Sequence, residues 1–536
     1  MTTARLLPRL LVILVCSMAA VSAAEVFQYR QMFPTERGEG RALLWLPNCA
    51  PAIRGVVIAG SIEVERRFTI SPHIRAACRA QGLGIIALST GRSVEQLEEL
   101  LEAFAEASGY QELRVVPWAF FGHSAGGPQA RQRAANSPTR SFALIQHRGG
   151  LPGGEPPVDH AVPCLAMAGQ FDEFGGTMRD EDGIEPAWMR PRDALVAYRQ
   201  EDPRRLVTLV VEPGGGHFPL SERNARLAAL FLERAAAARI PADWDPTSGV
   251  APTLQAIDVN SGWLMDLDLA AAAPQPSAPV AAYQGDPAKA GWIFDQAMAD
   301  HIAGYHQGLT GRQDQFLRWQ DGHWLDAGVR HFFTNLQWVD DGATFQVHPA
   351  YADRVPGSDN NRPRWDRAGE EVGHAAVPIR VIANGGPIEA VGEHRLRIRY
   401  STVHPITDRH RPTFLAFSPG DDQFRHTELI GMMPRGFRGL NRGAAQAITF
   451  EPLADIPLGT TEVPLTAHSD AALPVEFYIG VGPAVVEGST LRITDLPPRA
   501  SLPITIEVVA WQFGRGNDPQ VRSAEPVTQR FQIVAP

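Results

Sequence analysis

Cysteine is scarce in this 536-residue chain: there are four, and Cys16 falls in an N-terminal segment that reads as a cleaved signal. Cys49, Cys78 and Cys164 remain, too few and too odd in number for a disulfide framework, although a Cys49–Cys78 pair stays open. Cys164 lies in an apolar run and reads as a buried thiol. Long apolar runs are lacking as well. Past the first two dozen residues none is long enough to cross a bilayer, which argues against an integral membrane segment in the mature chain. Positive charge is in deficit. The formal net charge of -10 gives a surface that repels phosphate backbones, so no nucleic acid partner is expected. A P-loop, a dinucleotide fingerprint, an EF-hand loop and an HExxH pair are all missing. His301 and His306 are five apart, about 140° round a helix, and do not share a face. No metal and no cofactor are expected.

What is present begins with an export signal. Arg5 and Arg9 precede the apolar run 10–15, and Val21-Ser22-Ala23-Ala24 offers small residues for cleavage. Residues 1–24 therefore read as a signal peptide and the mature protein as secreted or periplasmic. Residues 25–240 alternate short apolar runs (42–46, 56–59, 84–88, 118–121, 142–146, 164–168, 206–211) with helix-like segments (72–81, 94–107, 127–135, 192–199, 222–238). That alternation implies an α/β fold: a parallel-rich sheet with helices on both faces and chemistry at the carboxyl ends of its strands. A linker is expected over 241–290, where AAAAPQPSAP at 270–279 is small and proline-bearing. Residues 291–445 read as a mixed, mostly β domain opening on a helix over 291–309. Residues 446–536 read as a β-sandwich, with short alternating segments punctuated by Gly, Pro, Asn and Asp.

Gly122-His123-Ser124-Ala125-Gly126 directly follows the apolar run 118–121 and precedes a helix-like segment. A nucleophilic serine needs such a tight strand-to-helix turn, with glycines where backbones approach closely and a helix amino terminus facing developing negative charge. It also needs a base oriented by a carboxylate. Asp172 leaves the end of the run 164–168, with Glu173 and Glu212 as rivals for its role, and His217 follows the last run after three glycines.

Through GHSAG at 122–126, AGQFDE at 168–173 and GGGHF at 214–218, residues 25–240 resemble an α/β-hydrolase of the capless serine esterase type. The resemblance implies a triad of Ser124, Asp172 and His217 acting through an acyl-enzyme. Gly60-Ser61-Ile62-Glu63 stands where many lipases have HGGG. The oxyanion hole would then pair the Ala125 N–H with that of Ser61 or Ile62.

Only 48 positions separate Ser124 from Asp172, which leaves no room for a large cap; a small lid is expected over 174–191. An open site suits an ester at the end or side of a bulky molecule, such as a polysaccharide- or polymer-linked ester. Residues 446–533 resemble a bacterial immunoglobulin-like repeat, through QAITFEPLADIPLG and VVAWQFGRG among other phrases. Six tryptophans (Trp263, Trp292, Trp319, Trp324, Trp338, Trp365) cluster in the middle stretch, where core packing is favoured over a carbohydrate-stacking face. The reading is a secreted carboxylic-ester hydrolase with an ester substrate. A serine peptidase, and a cell-surface binding protein with a silent hydrolase domain, stay open as alternatives.

Overall fold

The computed structural model describes residues 26–36, 38–60, 62–150, 157–172, 179–180, 183–184, 188–268, 274–309, 311–320, 337–339, 341–355, 369–405, 412–432 and 439–536. The expected signal peptide, Ser61, Glu173 and most of the expected lid lie outside the described residues.

Strands β1 (Tyr29–Thr35), β2 (Gly38–Trp45), β3 (Gly55–Ala59), β4 (Leu83–Leu88), β5 (Trp118–His123), β6 (Ser141–His147), β7 (Cys164–Gly169) and β8 (Val207–Glu212) form one sheet in the order β1-β2-β4-β3-β5-β6-β7-β8. From β4 through β3 to β8 every neighbouring pair is parallel. These strands are buried almost throughout, as expected of a sheet covered on both faces. The other two strands depart from the parallel expectation. β2 runs antiparallel to β4, and β1 antiparallel to β2. The chain from β2 to β3 is too short for a crossover helix.

Helices α1 (Glu63–Ile70), α2 (Pro72–Gln81), α3 (Val94–Ser108), α4 (Gly126–Asn136), α5 (Met189–Glu201) and α6 (Glu222–Arg239) cover the sheet. Local chemistry sets their limits. Ser93 and Ser221 accept from the backbone N–H groups of Gln96 and Asn224 at 3.3 and 3.1 Å, and Gly82 and Gly109 close α2 and α3 in the left-handed conformation. Phe68 of α1 stacks on Phe121 of β5 with ring centroids 3.8 Å apart. α1 is therefore fastened to the strand that leads into Ser124.

The stretch 241–293, beyond the expected linker limit of 290, lays a small antiparallel sheet against this body: β9 (Trp263–Asp266), β10 (Ala278–Pro279) and β11 (Ala290–Ile293). Helix α7 (Gln296–Leu309) follows, and Met265, Ile293, Met298, Ile302 and Tyr305 join the core of the eight-stranded body. The helix expected over 291–309 is thus a strand and then a shorter helix. The run Gly291-Trp292-Ile293 is fully buried, and a short apolar run cannot be assigned by periodicity alone.

Beyond residue 310 the described chain is β-rich and almost wholly antiparallel, with one core around Trp319, Phe345, Phe414 and Trp511 and another around Leu491, Ile506, Val508 and Phe531. Trp292 and Trp319 are buried and Trp338 packs against Phe345 and Phe513, so these are core residues; Trp324 and Trp365 lie outside the described residues. Cys49 is exposed and Cys78 buried, and both are free thiols, which closes the question of their pairing. No helix among the described residues is long and apolar enough to cross a membrane.

Phe68 is fully buried. Phe68→Ala is expected to cost about 3–5 kcal/mol of unfolding free energy, read by urea denaturation of the chain. A loss below about 1 kcal/mol would show that α1 is not fastened through this ring.

Candidate active site

β5 ends at His123, and the chain turns through Ser124 into α4. Ser124 takes φ +50, in the left-handed region that β-carbons disfavour. The turn is held by the Ser124 N–H donating to the His147 carbonyl and the Gly127 N–H donating to the Ser124 carbonyl, both at 3.0 Å. Backbones crowd it on two sides. A β-carbon on Gly122 would collide with the Gly126 carbonyl, and one on Gly149 with Ser124 itself.

Two loops meet this turn at the carboxyl edge of the sheet. One leaves β7 and carries Asp172; the other leaves β8 and carries His217. They are joined to each other: Gly214 N–H donates to Gln170 Oε1 at 2.7 Å, and Phe171 N–H to the Gly215 carbonyl at 2.9 Å. His217 Nδ1 lies 2.8 and 3.0 Å from the two Asp172 carboxylate oxygens, and its Nε2 lies 2.9 Å from Ser124 Oγ. A carboxylate accepts only, so Nδ1 carries the proton and the Nε2 lone pair faces the serine hydroxyl. The His217 and Asp172 side chains are 5% and 8% exposed, whereas Ser124 is half-buried and Ala125 exposed. The three residues singled out from sequence are brought together.

Glu212 is not at the imidazole. It is buried, pairs with Arg148, and accepts from the Ser221 hydroxyl and from Asn224 Nδ2 at 2.7 Å. Burial raises its carboxyl above the usual range.

Among the described residues the Ala125 N–H has no acceptor, while the Ile62 N–H is committed to Glu65 Oε2 at 2.7 Å. That removes Ile62 from the oxyanion hole; Ser61 lies outside the described residues.

The sequence reading missed Glu65. Its carboxylate, 1% exposed, accepts from Ile62 with one oxygen and from the His123 N–H with the other, at 3.0 Å. A single buried side chain thereby ties the loop after β3 to the residue before Ser124. The acid at the third position of α1 reaching back to the first backbone N–H is half of a capping box, a legible signal; the bond to His123 is not. Also missed was the pair His123 and His147, joined Nδ1 to Nδ1 at 2.9 Å behind His217. Burial holds both rings well below the usual histidine value, and so neutral.

No family model matches the chain, and no curated protein matches it. Solved structures similar to it include a hyperthermophilic esterase from the archaeon Pyrobaculum calidifontis, 15% identical, covering 42% of this chain and 92% of its own, with TM-score 0.29. A lid-less α/β serine hydrolase from Xanthomonas campestris is 16% identical, covering 40% of this chain and 96% of its own, with TM-score 0.27. A serine hydrolase homologue from Coxiella burnetii is 15% identical, covering 39% and 97%, with TM-score 0.26.

Burial raises the Glu65 carboxyl from an ordinary 4.5 to about 7. Its contribution is present in full below pH 4.5 and is lost as pH rises through about 7, whereas a glutamine does not titrate. The stability of wild type relative to Glu65→Gln is therefore expected to fall by about 3 kcal/mol between pH 4.5 and 8, measured by denaturation at each pH. A pH-independent difference would contradict a buried titrating carboxyl.

Strand order, the left-handed turn between β5 and α4, and the two loops that converge on it make the first body of this chain an α/β-hydrolase fold, followed by a β-rich region.

Proposed function

We propose that the protein is an exported serine hydrolase that cleaves carboxylic esters through an acyl-enzyme. The observation that carries this reading is the unbroken chain from Asp172 through His217 to Ser124, ending on a serine in a left-handed turn. Ser124 Oγ attacks the ester carbonyl while His217 Nε2 takes its proton, and Asp172 stabilises the imidazolium. The Ala125 N–H, with that of Ser61, receives the oxyanion. Collapse expels the alcohol, which leaves with the proton from His217. Water activated by the same imidazole then releases the acid and regenerates Ser124.

Half-exposure of Ser124 and exposure of Ala125 support a bulky substrate, an ester borne on a polysaccharide or polymer, approached from outside. Export rests on residues 1–24, with Arg5 and Arg9 ahead of an apolar run and small residues at the cleavage point. From the sequence reading we keep 25–240 as catalytic, 446–536 as immunoglobulin-like and the stretch before it as mostly β, but 241–309 packs on the catalytic body through β9, β11 and α7 rather than acting as a bare connector.

A fluorophosphonate is expected to label the wild-type protein and not Ser124→Ala, with the melting temperature of the variant unchanged. Turnover of short-chain aryl esters should fall by about 10³-fold or more in Ser124→Ala and by about 10⁴-fold in Asp172→Asn. Well-folded wild type that resists labelling would sink the serine mechanism. Faster turnover of peptide than of ester substrates, run side by side, would replace esterase by peptidase.

A further inference from the structure

The loop that carries His217 contains three successive glycines, Gly214 to Gly216. Glycine loses more conformational freedom on ordering than any other residue. Yet an imidazole must be held within about 0.5 Å of its working position. Something outside the loop has to hold it. Behind it lies a strand of the β-rich half, Thr427–Met432. The approach is close enough that a β-carbon on Gly214 would collide with the His426 carbonyl. Phe218, on the far side of His217, packs on Ile430 and Met432 of the same strand.

Glu428 turns its carboxylate into this junction, with its side chain 2% exposed. His426 Nε2 donates to Glu428 Oε1 at 3.1 Å, and the backbone carbonyl of the same histidine is the group that abuts Gly214. Burial opposes the charge, but the bond and field of His426 and the field of the Arg148 guanidinium outweigh it and hold the carboxyl below its usual range. On the hydrolase side the Arg148 guanidinium lies directly under Gly215 and is paired with Glu212. The glycine loop is therefore clamped between Arg148 of its own half and His426, held by Glu428, of the other.

We propose that Glu428 is a positioning residue for His217: it holds His426, whose backbone carbonyl abuts Gly214 of the His217 loop, so that the β-rich half completes the active site. The proposal rests on the serine-hydrolase reading above.

The test is fluorophosphonate titration of the full chain, which separates the number of reactive sites from the rate constant at each site. Glu428→Gln removes the charge that holds the His426 imidazole. The rate constant per reactive site is expected to fall by about tenfold or more, and kcat with it, while KM for an aryl ester stays within about twofold. His426→Phe removes the donor that aims Glu428 but leaves the buried carboxylate in place. It should lower the same rate constant in the same direction and covers the case in which Glu428→Gln does not fold. A purely structural role predicts fewer reactive sites, each reacting at the wild-type rate, and that result would overturn the proposal. Failure of wild type itself to label would instead overturn the hydrolase reading, and the proposal with it.

Discussion

Ser124 takes φ +50 between β5 and α4, a conformation that costs about 1–3 kcal/mol for a residue with a side chain. It persists because the neighbouring backbones leave no relaxed alternative. β6 runs alongside and supplies the His147 carbonyl that anchors the Ser124 N–H, while Gly149 passes against Ser124 with no space for a side chain. Glu65 closes the third side, its carboxylate lying against Gly126 and bonded to His123. The turn thus requires a charge-capable group in the core, glycine at 122, 126, 127 and 149, and two neutral histidines. The positions of Asp172 and His217 follow, since their loops only have to reach a hydroxyl that does not move.

Much of the first body was legible because its strands are buried on both faces. β3 to β8 appear in the sequence as uninterrupted apolar runs, and the helices between them keep their polar outer faces. β1 was not legible. Its sequence YRQMFPT buries only Tyr29 and Phe33 at the sheet edge, and no apolar run marks it. α1 was missed for a similar reason: EVERRFTI offers few apolar residues, and Phe68 does most of the anchoring. In the site, Ser124, Asp172 and His217 announce themselves because each follows a strand in a turn with recognisable chemistry. Glu65, Arg148 and Glu428 do not, because their meaning lies in partners 58 and 64 residues away and, for Glu428, in a loop more than 200 residues away that its neighbour His426 abuts. No local pattern records a contact of that kind.

The two halves are fastened by guanidinium groups. Lys289 is the one lysine among 49 basic residues. Arg30 grips Glu507 with two bonds of 2.8 and 2.7 Å, and Arg499 bonds Glu112 at 2.9 Å while lying over the Tyr110 ring. A planar, weakly hydrated fork can satisfy a carboxylate, a carbonyl and an aromatic face together, which an ammonium group does not. These ties bring the β-rich half within reach of the His217 loop. A junction assembled from hydrogen bonds of defined direction, rather than from apolar contact alone, also fixes the register in which the halves meet.

The polar groups behind His217 form a chain whose proton positions follow from one another. Tyr305 donates to Asn224 Oδ1 at 2.8 Å, so Asn224 Nδ2 faces Glu212 at 2.7 Å and His147 Nε2 at 3.3 Å. The reverse orientation would set an amide oxygen against a carboxylate. His147 Nε2 is therefore the acceptor, its proton sits on Nδ1, and it donates to His123 Nδ1, which leaves His123 protonated at Nε2. Both rings are neutral, and the His123 ring lies 4.9 Å from that of His217. A second imidazolium at that distance would repel the one that forms on His217 during acyl transfer. Keeping two neighbours uncharged by burial, with their tautomers dictated from Tyr305, reserves the positive charge for the one imidazole whose Nδ1 faces Asp172.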